Sequence, residues 1–255
     1  MKKIFNDNIT TLVKSDSFDC MRRINDKSID VIVADPPYFL SNGGFSNSGG
    51  KRVSVDKGKW DQEQDPEEFY SRFLNEVDRI LKDDGTFWVF GSMHNIYMIG
   101  YLIQKMGWKI LNNITWQKSN PAPNLSRRMF THSTETILWV KRKHGKQLFN
   151  YDFMRELNGG KQMKDVWTTP TTQKMEKRFG KHPTQKPLSV LKRIIESSTN
   201  KDSIVLDPLV GSGTTCVACR QLGVRSIGID MEEDYLNIAK KRIADYSNER
   251  VGNIR

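Results

Sequence analysis

The sequence predicts an α/β fold whose sheet is mixed and doubly wound, with one inserted lobe. Short apolar segments alternate with amphipathic helical segments in both halves of the chain, which is the pattern of a doubly wound sheet. A glycine-rich turn follows one apolar segment and precedes a helix, as at the ligand-binding edge of such sheets. A basic segment separates the halves, and 255 residues suffice for one such domain with one insertion.

The first half, residues 1–117, contains a predicted strand that ends at a proline pair. Residues 28–34, Ser-Ile-Asp-Val-Ile-Val-Ala, form a β-branched run typical of a buried parallel strand. Asp35-Pro36-Pro37 ends the strand, because proline has no backbone donor. The Gly, Ser and Asn content of residues 41–50 predicts an irregular, mobile loop beside this motif.

A helix start is predicted at Asp65. Asp65 is suited to be the N-cap, Pro66 is suited to the first helical position, and an acid stands three residues after the cap. Apolar positions as far as Leu81 fall on one helix face. Gly85 predicts the turn into a strand at residues 86–90.

The second half, residues 182–255, repeats the alternation of strands and helices. Its predicted helices cover residues 188–197, 214–222 and 232 onward, and its predicted strands cover residues 203–206 and 226–229.

Most of the positive charge lies in residues 118–181. They contain fourteen Lys and Arg against five Asp and Glu, whereas the net charge of the whole chain is +10. This concentration predicts a surface for a polyanion, with nucleic acid as the leading candidate and a solvated lysine-rich insert as the alternative. Three prolines and interleaved aromatics predict that the segment is irregular, and we interpret it as a recognition lobe.

Composition narrows the class of protein further. No apolar run approaches the roughly 20 residues that cross a bilayer, and the amino-terminal residues lack the apolar core of a signal peptide. A cytoplasmic protein without a membrane partner is therefore expected. The three cysteines make a poor disulfide framework. Cys216 and Cys219 are predicted to be structural, and the spacing of Cys and His predicts no metal site.

A candidate nucleoside-cofactor site follows the strand predicted at residues 203–206. Its residues are Asp207, Pro208, Gly211, Ser212, Gly213 and Thr214, whose two glycines allow a ligand to approach the backbone where a helix begins. Asp230 ends the next strand, where a carboxylate can accept hydrogen bonds from ribose hydroxyls. The turn lacks the third glycine of a dinucleotide site and the Gly-Lys of a P-loop, so a different nucleoside-bearing cofactor is predicted.

Asp35-Pro36-Pro37-Tyr38 is the candidate catalytic motif. The exocyclic amine of adenine is a poor nucleophile, because its lone pair is delocalised into the ring, and two hydrogen-bond acceptors can assist as the nitrogen pyramidalises. The Asp35 carboxylate and the Pro36 carbonyl can supply them, and the Tyr38 ring can stack on an extruded base. Methyl transfer from a sulfonium then needs neither a metal nor a covalent intermediate.

The order of the motifs resembles that of the β group of amino-methylating DNA methyltransferases. Asp35-Pro36-Pro37-Tyr38 comes first, the basic segment second, His182-Pro183-Thr184-Gln185-Lys186-Pro187 third, and the turn from Asp207 to Thr215 last. The resemblance covers nearly the whole chain. It implies a Rossmann-like class I methyltransferase fold with a catalytic half at residues 1–117, a target-recognition lobe at 118–181 and a half that binds S-adenosyl-L-methionine at 182–255.

The resemblance also implies roles for single residues. Asp35, Pro36, Pro37 and Tyr38 would act in catalysis or base binding. Cofactor contacts are implied for Asp16, Thr184, Lys186, Asp207, Pro208, Gly211, Ser212, Gly213, Thr214 and Asp230. Leu209 stands where the group commonly has Phe, so one aromatic contact with the cofactor is expected to be missing. DNA contacts are predicted for Lys118, Arg127 and Arg128, since bidentate guanine recognition needs such side chains.

Residues 39–44, 112–118, 121–126 and 131–139 are similar to the second adenine methylases of DpnII-type restriction–modification systems. This similarity implies adenine-N6 methylation of double-stranded DNA within 5'-GATC-3', and single-stranded DNA stays open as a further substrate. The sequence also leaves open whether a homodimer forms and whether a cognate restriction endonuclease is a partner.

Three other functions compete with this interpretation. An N4-cytosine DNA methyltransferase acts on the same kind of amine, but families of that type usually carry Ser in place of Asp35. Protein- or RNA-methylating relatives often carry Asn there. A catalytically inactive DNA-binding regulator is the alternative from a different class, and the intact Asp35 and Tyr38 argue against it.

Overall fold

The computed structural model describes residues 1–39, 45–48, 51–54 and 65–246, the two short middle ranges by their backbone alone. The strands in these ranges are Lys2–Asn6 (β1), Thr10–Lys14 (β2), Ile29–Ala34 (β3), Phe45–Ser48 (β4), Lys51–Ser54 (β5), Leu81–Gly91 (β6), Lys109–Lys118 (β7), Thr134–Lys141 (β8), Val166–Thr169 (β9), Ile204–Asp207 (β10) and Arg225–Asp230 (β11). The helices are Ser17–Met21 (α1), Pro66–Ile80 (α2), Ile96–Lys105 (α3), Tyr151–Leu157 (α4), Leu188–Ser198 (α5), Thr214–Gln221 (α6) and Glu233–Tyr246 (α7).

Nine strands form one mixed sheet in the order β1-β2-β11-β10-β3-β6-β8-β7-β9. β2, β11, β10, β3 and β6 are parallel neighbours, and β8 is antiparallel to both β6 and β7. The predicted α/β class and the elements predicted for the second half of the chain are confirmed. The parallel strands are joined by helices, as the βα alternation of the sequence required.

Helices cover both faces of the sheet, and β3 shows why the sheet core is apolar on both sides. Ile32 and Ala34 pack in the cluster that contains α1, α2 and α3. Val31 and Val33 pack in the cluster that contains α5 and part of α6. Because alternate side chains of a strand point to opposite faces, a strand covered on both sides needs a continuous apolar run.

Helix α2 begins as predicted but ends one residue earlier. The Asp65 side chain accepts a hydrogen bond from the backbone N–H of Glu68 (3.1 Å), and Pro66 is the first helical residue. Leu81 is extended and pairs with Ile29 of β3, and after a register shift that includes Gly85 the regular pairing of β6 with β3 resumes at Thr86. Assigning Leu81 to the helix was wrong, because Leu81 pairs with β3, whereas the strand predicted at residues 86–90 is confirmed.

The basic segment at 118–181 is irregular only in part, because it contributes two strands and a helix to the domain, which corrects the prediction for those residues. Strand β8 lies inside the sheet, between β6 and β7, and β9 extends the edge beyond β7. Trp139 on β8 is buried and stacks on Trp88 with ring centroids 4.8 Å apart, and Trp167 on β9 is also buried. These aromatics are core residues, because a strand paired on both sides places alternate side chains between the sheet and its helices.

The loop predicted at residues 41–50 contains regular structure. Phe45–Ser48 pairs antiparallel with Lys51–Ser54, so the prediction of an irregular segment was wrong for these residues. Residues 41–44 and 49–50, and with them the prediction of mobility, lie outside the described residues.

The cysteines are free and buried, which confirms the structural interpretation of Cys216 and Cys219. Burial raises the pKa of the Cys216 thiol to about 12, so the group is unreactive at neutral pH. Over the described ranges, none of the helices has the length and apolar character that spanning a bilayer requires.

Candidate active site

The two halves of the chain meet where β3 and β10 pair in parallel. Asp35 directly follows β3, and Asp207 is the last residue of β10, so both carboxylates stand at the carboxyl edge of adjacent strands. The chain continues from β3 to β6 on one side and from β10 to β11 on the other. This is a topological switch point, where α/β sheets form a ligand crevice.

A cavity of about 700 Å³ opens at this switch point. Predicted site residues from both halves line it: Asp16, Asp35, Pro37, Thr184, Lys186, Asp207, Gly211, Ser212, Thr214 and Asp230. The volume lies within the roughly 300 to 1,000 Å³ of ordinary ligand pockets. The structure therefore brings Asp35 and Pro37 of the candidate catalytic motif to the same cavity as the candidate cofactor turn, whereas Pro36 and Tyr38 do not line it.

Asp230 is held in place by the glycine turn. One carboxylate oxygen accepts from the backbone N–H of Gly211 (2.9 Å) and the other from that of Glu232 (2.8 Å). Each oxygen retains a second lone pair that can accept from a ribose hydroxyl. Burial raises the pKa of Asp230 despite these hydrogen bonds.

Gly211 is required by its neighbour as well as by its backbone. Its φ is 51°, in the left-handed region, and a Cβ there would lie 2.9 Å from Nε2 of His182. The His182 ring packs edge-on against Tyr235, with centroids 4.2 Å apart. Burial, together with the charges of Lys186 and Arg242, lowers the pKa of His182 to about 4, so its ring is neutral at physiological pH.

Gly213 and Pro208 were predicted to contact the cofactor but do not line the cavity. Gly213 faces α7, and a Cβ there would lie 2.6 Å from Cβ of Ala239. The Pro208 carbonyl accepts from the hydroxyl of Ser17 (2.5 Å). Gly213 is therefore required by the close approach of α7, and Pro208 links the turn to α1 through Ser17.

Arg242 supports the turn and was missed by the sequence analysis. Its side chain on α7 is 2% exposed, and Nη1 donates to the Ser212 carbonyl (2.7 Å), the Ser212 hydroxyl (3.2 Å) and the Thr214 hydroxyl (2.9 Å). Nη2 lies 3.9 Å from the Glu176 carboxylate. An arginine in a helix is normally exposed, and the residues that bury Arg242 are far away in the chain. No local sequence pattern therefore identifies it as buried.

The apolar walls of the cavity are mainly aromatic. Phe18, Phe69, Phe73 and Phe90 line it together with Leu209. Leu209 contributes no ring, but aromatic side chains from other elements line the cavity instead. Aromatic walls, carboxylates and backbone amides together suit a purine nucleoside with a charged tail, so the residues present fit S-adenosyl-L-methionine.

At the catalytic end, both oxygens of Asp35 already have partners within the motif and beyond it. The Tyr38 hydroxyl donates to Oδ1 (2.9 Å), and Nζ of Lys186 donates to Oδ2 (2.6 Å). Burial, with the negative charges of Asp35 and Glu135, raises the pKa of Tyr38 well above its usual value, so the phenol keeps its proton.

Lys186 ion-pairs with the catalytic carboxylate, a contact that the predicted cofactor role did not include. Its ammonium is also 3.3 Å from Oε2 of Glu135 and lies over the ring of Phe90, 5.3 Å from the centroid. Burial alone would lower the pKa of Lys186, but the charges of Asp35 and Glu135 outweigh burial and raise it. Glu135 was not identified from sequence, because its role depends on pairing across the sheet.

The proline pair is fixed from below. The Pro37 carbonyl accepts from the Tyr70 hydroxyl (2.6 Å), and Pro36 and Pro37 are buried. No donor among the described residues bonds the Pro36 carbonyl, which leaves it available as an acceptor. Phe39 follows with φ 52°, a strained value for a non-glycine residue, and packs against Phe69 (centroids 5.3 Å apart).

The predicted DNA contacts separate into two groups. Lys118 points inward, with a side chain only 20% exposed and its ammonium 2.7 Å from Oε1 of Glu135. Arg127 and Arg128 are exposed in the loop at residues 119–133, which joins β7 to β8. The structure therefore presents two of the three predicted cations to an external ligand.

Asp207 is buried at the floor of the cavity. It accepts from the Thr215 hydroxyl (2.5 Å) and the Leu209 N–H (3.1 Å), but burial dominates and raises its pKa to about 7. The folded protein therefore holds this proton to higher pH than the unfolded chain does. Its contribution to stability falls as pH rises from about 4 to about 7 and is level above that.

We expect Asp207→Asn to flatten this part of the pH dependence, because an amide has no charge to desolvate. The free energy of unfolding of the wild type relative to the variant should fall by on the order of 2 kcal/mol between pH 5 and pH 8, measured by urea unfolding. Asp202→Asn, at an exposed carboxylate before the same strand, is the control and should show no such change. Parallel curves for wild type and Asp207→Asn would contradict the assignment.

Fold and site together define a class of protein. In a Rossmann-like sheet, the glycine turn at Gly211 follows β10, and Asp230, a carboxylate suited to bind ribose hydroxyls, ends β11. The Asp35 carboxylate stands at the end of the adjacent strand β3. This is the arrangement of a transferase that brings a nucleoside-bearing cofactor to a second substrate in one cavity.

The chain belongs to the DNA methylase family, whose model matches residues 29–241. It is 56% identical over 247 residues to the Type II methyltransferase M2.DpnII of Streptococcus pneumoniae, covering 95% of this chain and 92% of that relative. It is 47% identical over 236 residues to the Type II methyltransferase M2.MboI of Moraxella bovis, covering 91% and 86%. The predicted enzyme class, a DNA methyltransferase, is confirmed.

Solved structures agree with the fold. The M1.HpyAVI–SAM complex superposes with a TM-score of 0.68 at 27% identity and covers 92% of this chain and 99% of that chain. The cytosine-N4-specific PvuII DNA methyltransferase gives a TM-score of 0.76 at 16% identity, covering 99% and 96%. The second likeness bears on the fold alone.

Proposed function

We propose that this protein transfers a methyl group from S-adenosyl-L-methionine to the N6 amine of adenine in DNA, within 5'-GATC-3', as part of a restriction–modification system. The observation that carries the proposal is the shared cavity, in which Asp35 lies with Gly211 and Asp230. Methyl donor and acceptor amine can therefore meet in one place. If Asp35 had faced another cavity, no transfer could occur.

Some residues of the site would bind the cofactor, and others would bind the target amine. When bound, S-adenosyl-L-methionine supplies an electrophilic methyl group on a sulfonium. Asp230 would accept hydrogen bonds from its ribose hydroxyls, and the turn at Gly211 would let its methionine part approach the backbone. Asp35 and the Pro36 carbonyl would accept hydrogen bonds from the two amine N–H groups, which leaves the nitrogen lone pair free to take the methyl group while the sulfonium departs as a neutral thioether. Asp35 can take up the one proton that the amine must lose.

Entry of the target base requires a rearrangement at Asp35. In the structure, the Tyr38 hydroxyl donates to Oδ1 and Lys186 to Oδ2. An incoming amine replaces the Tyr38 hydroxyl at Oδ1, and the half-buried ring is then placed to stack on the extruded adenine. Lys186 meanwhile keeps its ion pair with Oδ2 and holds the Asp35 carboxylate in place.

Adenine is favoured over cytosine by the motif and by the relatives. Asp occupies the position where N4-cytosine families usually carry Ser, and the relatives at 56% and 47% identity are named for the DpnII and MboI systems. The DpnII likeness supports GATC as the target, and a cognate endonuclease as a partner in the cell.

Label transfer tests the proposal. The protein is incubated with S-adenosyl-L-methionine labelled in its methyl group and a duplex that contains one GATC site, and the nucleosides are analysed. Label in N6-methyldeoxyadenosine supports the proposal, whereas label in N4-methyldeoxycytidine or none at all contradicts it. A duplex with GTAC in place of GATC tests the target sequence, and the single strands of both test strand preference.

The loop at residues 119–133 is the proposed DNA contact. Asn124 braces it from within, accepting from the N–H of Ser126 (3.0 Å) and donating to the Met129 carbonyl (3.0 Å). Phe130 is 96% exposed and stands beside the arginines at 127 and 128. Exposed cations next to an exposed ring suit phosphates and unstacked bases, respectively.

We expect the double substitution Arg127→Ala and Arg128→Ala to weaken DNA binding and reduce its salt dependence. Each lost phosphate contact should lower the slope of log Kd against log salt by about one. Fluorescence anisotropy between low and high salt measures both. Lys201→Ala is the control, because this exposed lysine precedes β10 at the opposite edge of the sheet from the cavity. An unchanged slope would remove the loop from the DNA interface.

A further inference from the structure

Four side chains of alternating charge connect the catalytic carboxylate to the base of the loop at 119–133. Asp35 pairs with Lys186 (2.6 Å), Lys186 with Glu135 (3.3 Å), and Glu135 with Lys118 (2.7 Å). All four side chains are at most 21% exposed. The set is electrically balanced, with two ammonium groups and two carboxylates, as buried ions require.

Lys186 alone is a poor anchor for Asp35. Its charge stands at the end of four rotatable bonds, so a single ion pair would leave its position loose. Glu135 provides the second point of attachment, because its backbone lies in β8, between β6 and β7, where it pairs with Trp116 of β7. Burial would raise the pKa of Glu135, but Lys186 and Lys118 outweigh burial and lower it, so Glu135 stays charged.

Glu135 also reaches the ends of the loop at 119–133. Lys118 is the last residue of β7, and its backbone N–H donates to the Ser133 carbonyl (2.8 Å), which closes the loop. The Lys118 ammonium lies 5.4 Å from the ring centroid of Trp116 and bonds to Glu135. One carboxylate thus bridges the cation that closes the loop and the cation that holds the catalytic acid.

We propose that Glu135 is a positioning residue, which fixes Asp35 through Lys186 and couples it to the base of the DNA-contacting loop through Lys118. The inference rests on the proposed function, since it assigns Asp35 to the transfer step. Glu135 itself contacts neither substrate. Lys118 belongs to this chain of ion pairs and does not bind phosphate.

The first test separates rate from binding. Glu135→Gln keeps the size of the side chain but removes its charge, and we expect kcat to fall by about 30- to 100-fold with Kd for DNA and for S-adenosyl-L-methionine within threefold. Lys118→Met should lower kcat by about five- to tenfold without changing the salt slope of DNA binding. A reduced salt slope for Lys118→Met, or unchanged kcat for Glu135→Gln, overturns the proposal.

The second test asks whether Glu135 acts through Lys186. If it does, adding Glu135→Gln to Lys186→Met lowers kcat no further, because the intermediary is already gone. If the double variant instead loses kcat by the product of the two single losses, the proposal is overturned. The alkaline limb of the kcat–pH profile should shift to lower pH in Glu135→Gln, since the Lys186 ammonium loses one of its two counterions, and a merely structural loss would not move it.

A measurement that needs no substrate distinguishes failure of the proposed function from failure of the positioning role of Glu135. NMR titration of the Lys186 ammonium should show a lower pKa in Glu135→Gln than in the wild type, whatever the substrate proves to be. If the wild type methylates no adenine, the proposed function fails, and this titration still decides whether Glu135 holds Lys186. If the wild type is active and Glu135→Gln matches it in rate and in titration, the positioning role alone fails.

Discussion

Replacing Asp35 with alanine is expected to lower kcat by more than about 1,000-fold, with Kd for S-adenosyl-L-methionine within about fivefold of the wild type. The substitution removes an acceptor for the amine and the counterion that holds Lys186 at 2.6 Å. It removes none of the contacts of Asp230 or the Gly211 turn, on which cofactor binding depends. Single-turnover methylation and calorimetric titration of the cofactor measure the two quantities separately.

Two variants guard this result against a folding defect. Asp35→Asn keeps the shape and one acceptor oxygen, and we expect kcat to recover no more than about tenfold, because the charge is still missing. Asp152→Asn, at a carboxylate that is 94% exposed on α4, should leave kcat within twofold. Turnover near the wild-type rate in Asp35→Ala would exclude Asp35 from the transfer step.

Replacing Arg242 with methionine is expected to lower the free energy of unfolding by about 3 kcal/mol and to weaken cofactor binding at least tenfold. The arginine donates to the carbonyl and hydroxyl of Ser212 and to the hydroxyl of Thr214, and all three acceptors are left without it. Because these residues belong to the turn that lines the cavity, its shape should relax. Urea unfolding and cofactor titration give the two quantities.

The neighbouring Lys241 offers a matched control. It is exposed on the same helix, so Lys241→Met removes the same charge without touching the turn, and both quantities should stay near the wild-type values. Arg242→Lys keeps the charge and should restore part of the stability but less of the affinity, since one ammonium cannot reproduce the guanidinium geometry. Unchanged cofactor affinity in Arg242→Met would show that the turn needs no support from α7.

Elements with strong local signals were predictable. The strand before Asp35 was identified by its β-branched run, and α2 by its cap, because both signals lie within a few residues. Strand β8 was not identified, since prolines and lysines around it suggested an irregular lobe. Its place in the sheet depends on pairing with β6, whose paired residues are more than 40 positions away along the chain. Leu81 was assigned to the wrong element for the same reason.

The candidate site was predictable to the extent that its residues form contiguous motifs. Asp35, Gly211 and Asp230 follow strands, and a turn after a parallel strand reaches the ligand edge in every α/β sheet. Glu135 and Arg242 act through partners that are distant in sequence, so no local pattern identifies them. Lys118 has the right residue type for a phosphate contact, but in the structure its ammonium is paired with Glu135.

By itself, the sequence determined the two motifs, their chemistry and the fold class, because hydrophobic periodicity, proline and glycine act over short distances along the chain. Only the tertiary structure decided that β3 lies beside β10, so that Asp35 and the cofactor turn share a cavity. It also decided which charges are paired inside and which face outward. Strand order and buried ion pairs depend on the free energy of packing between distant segments, and no local sequence pattern reports that free energy.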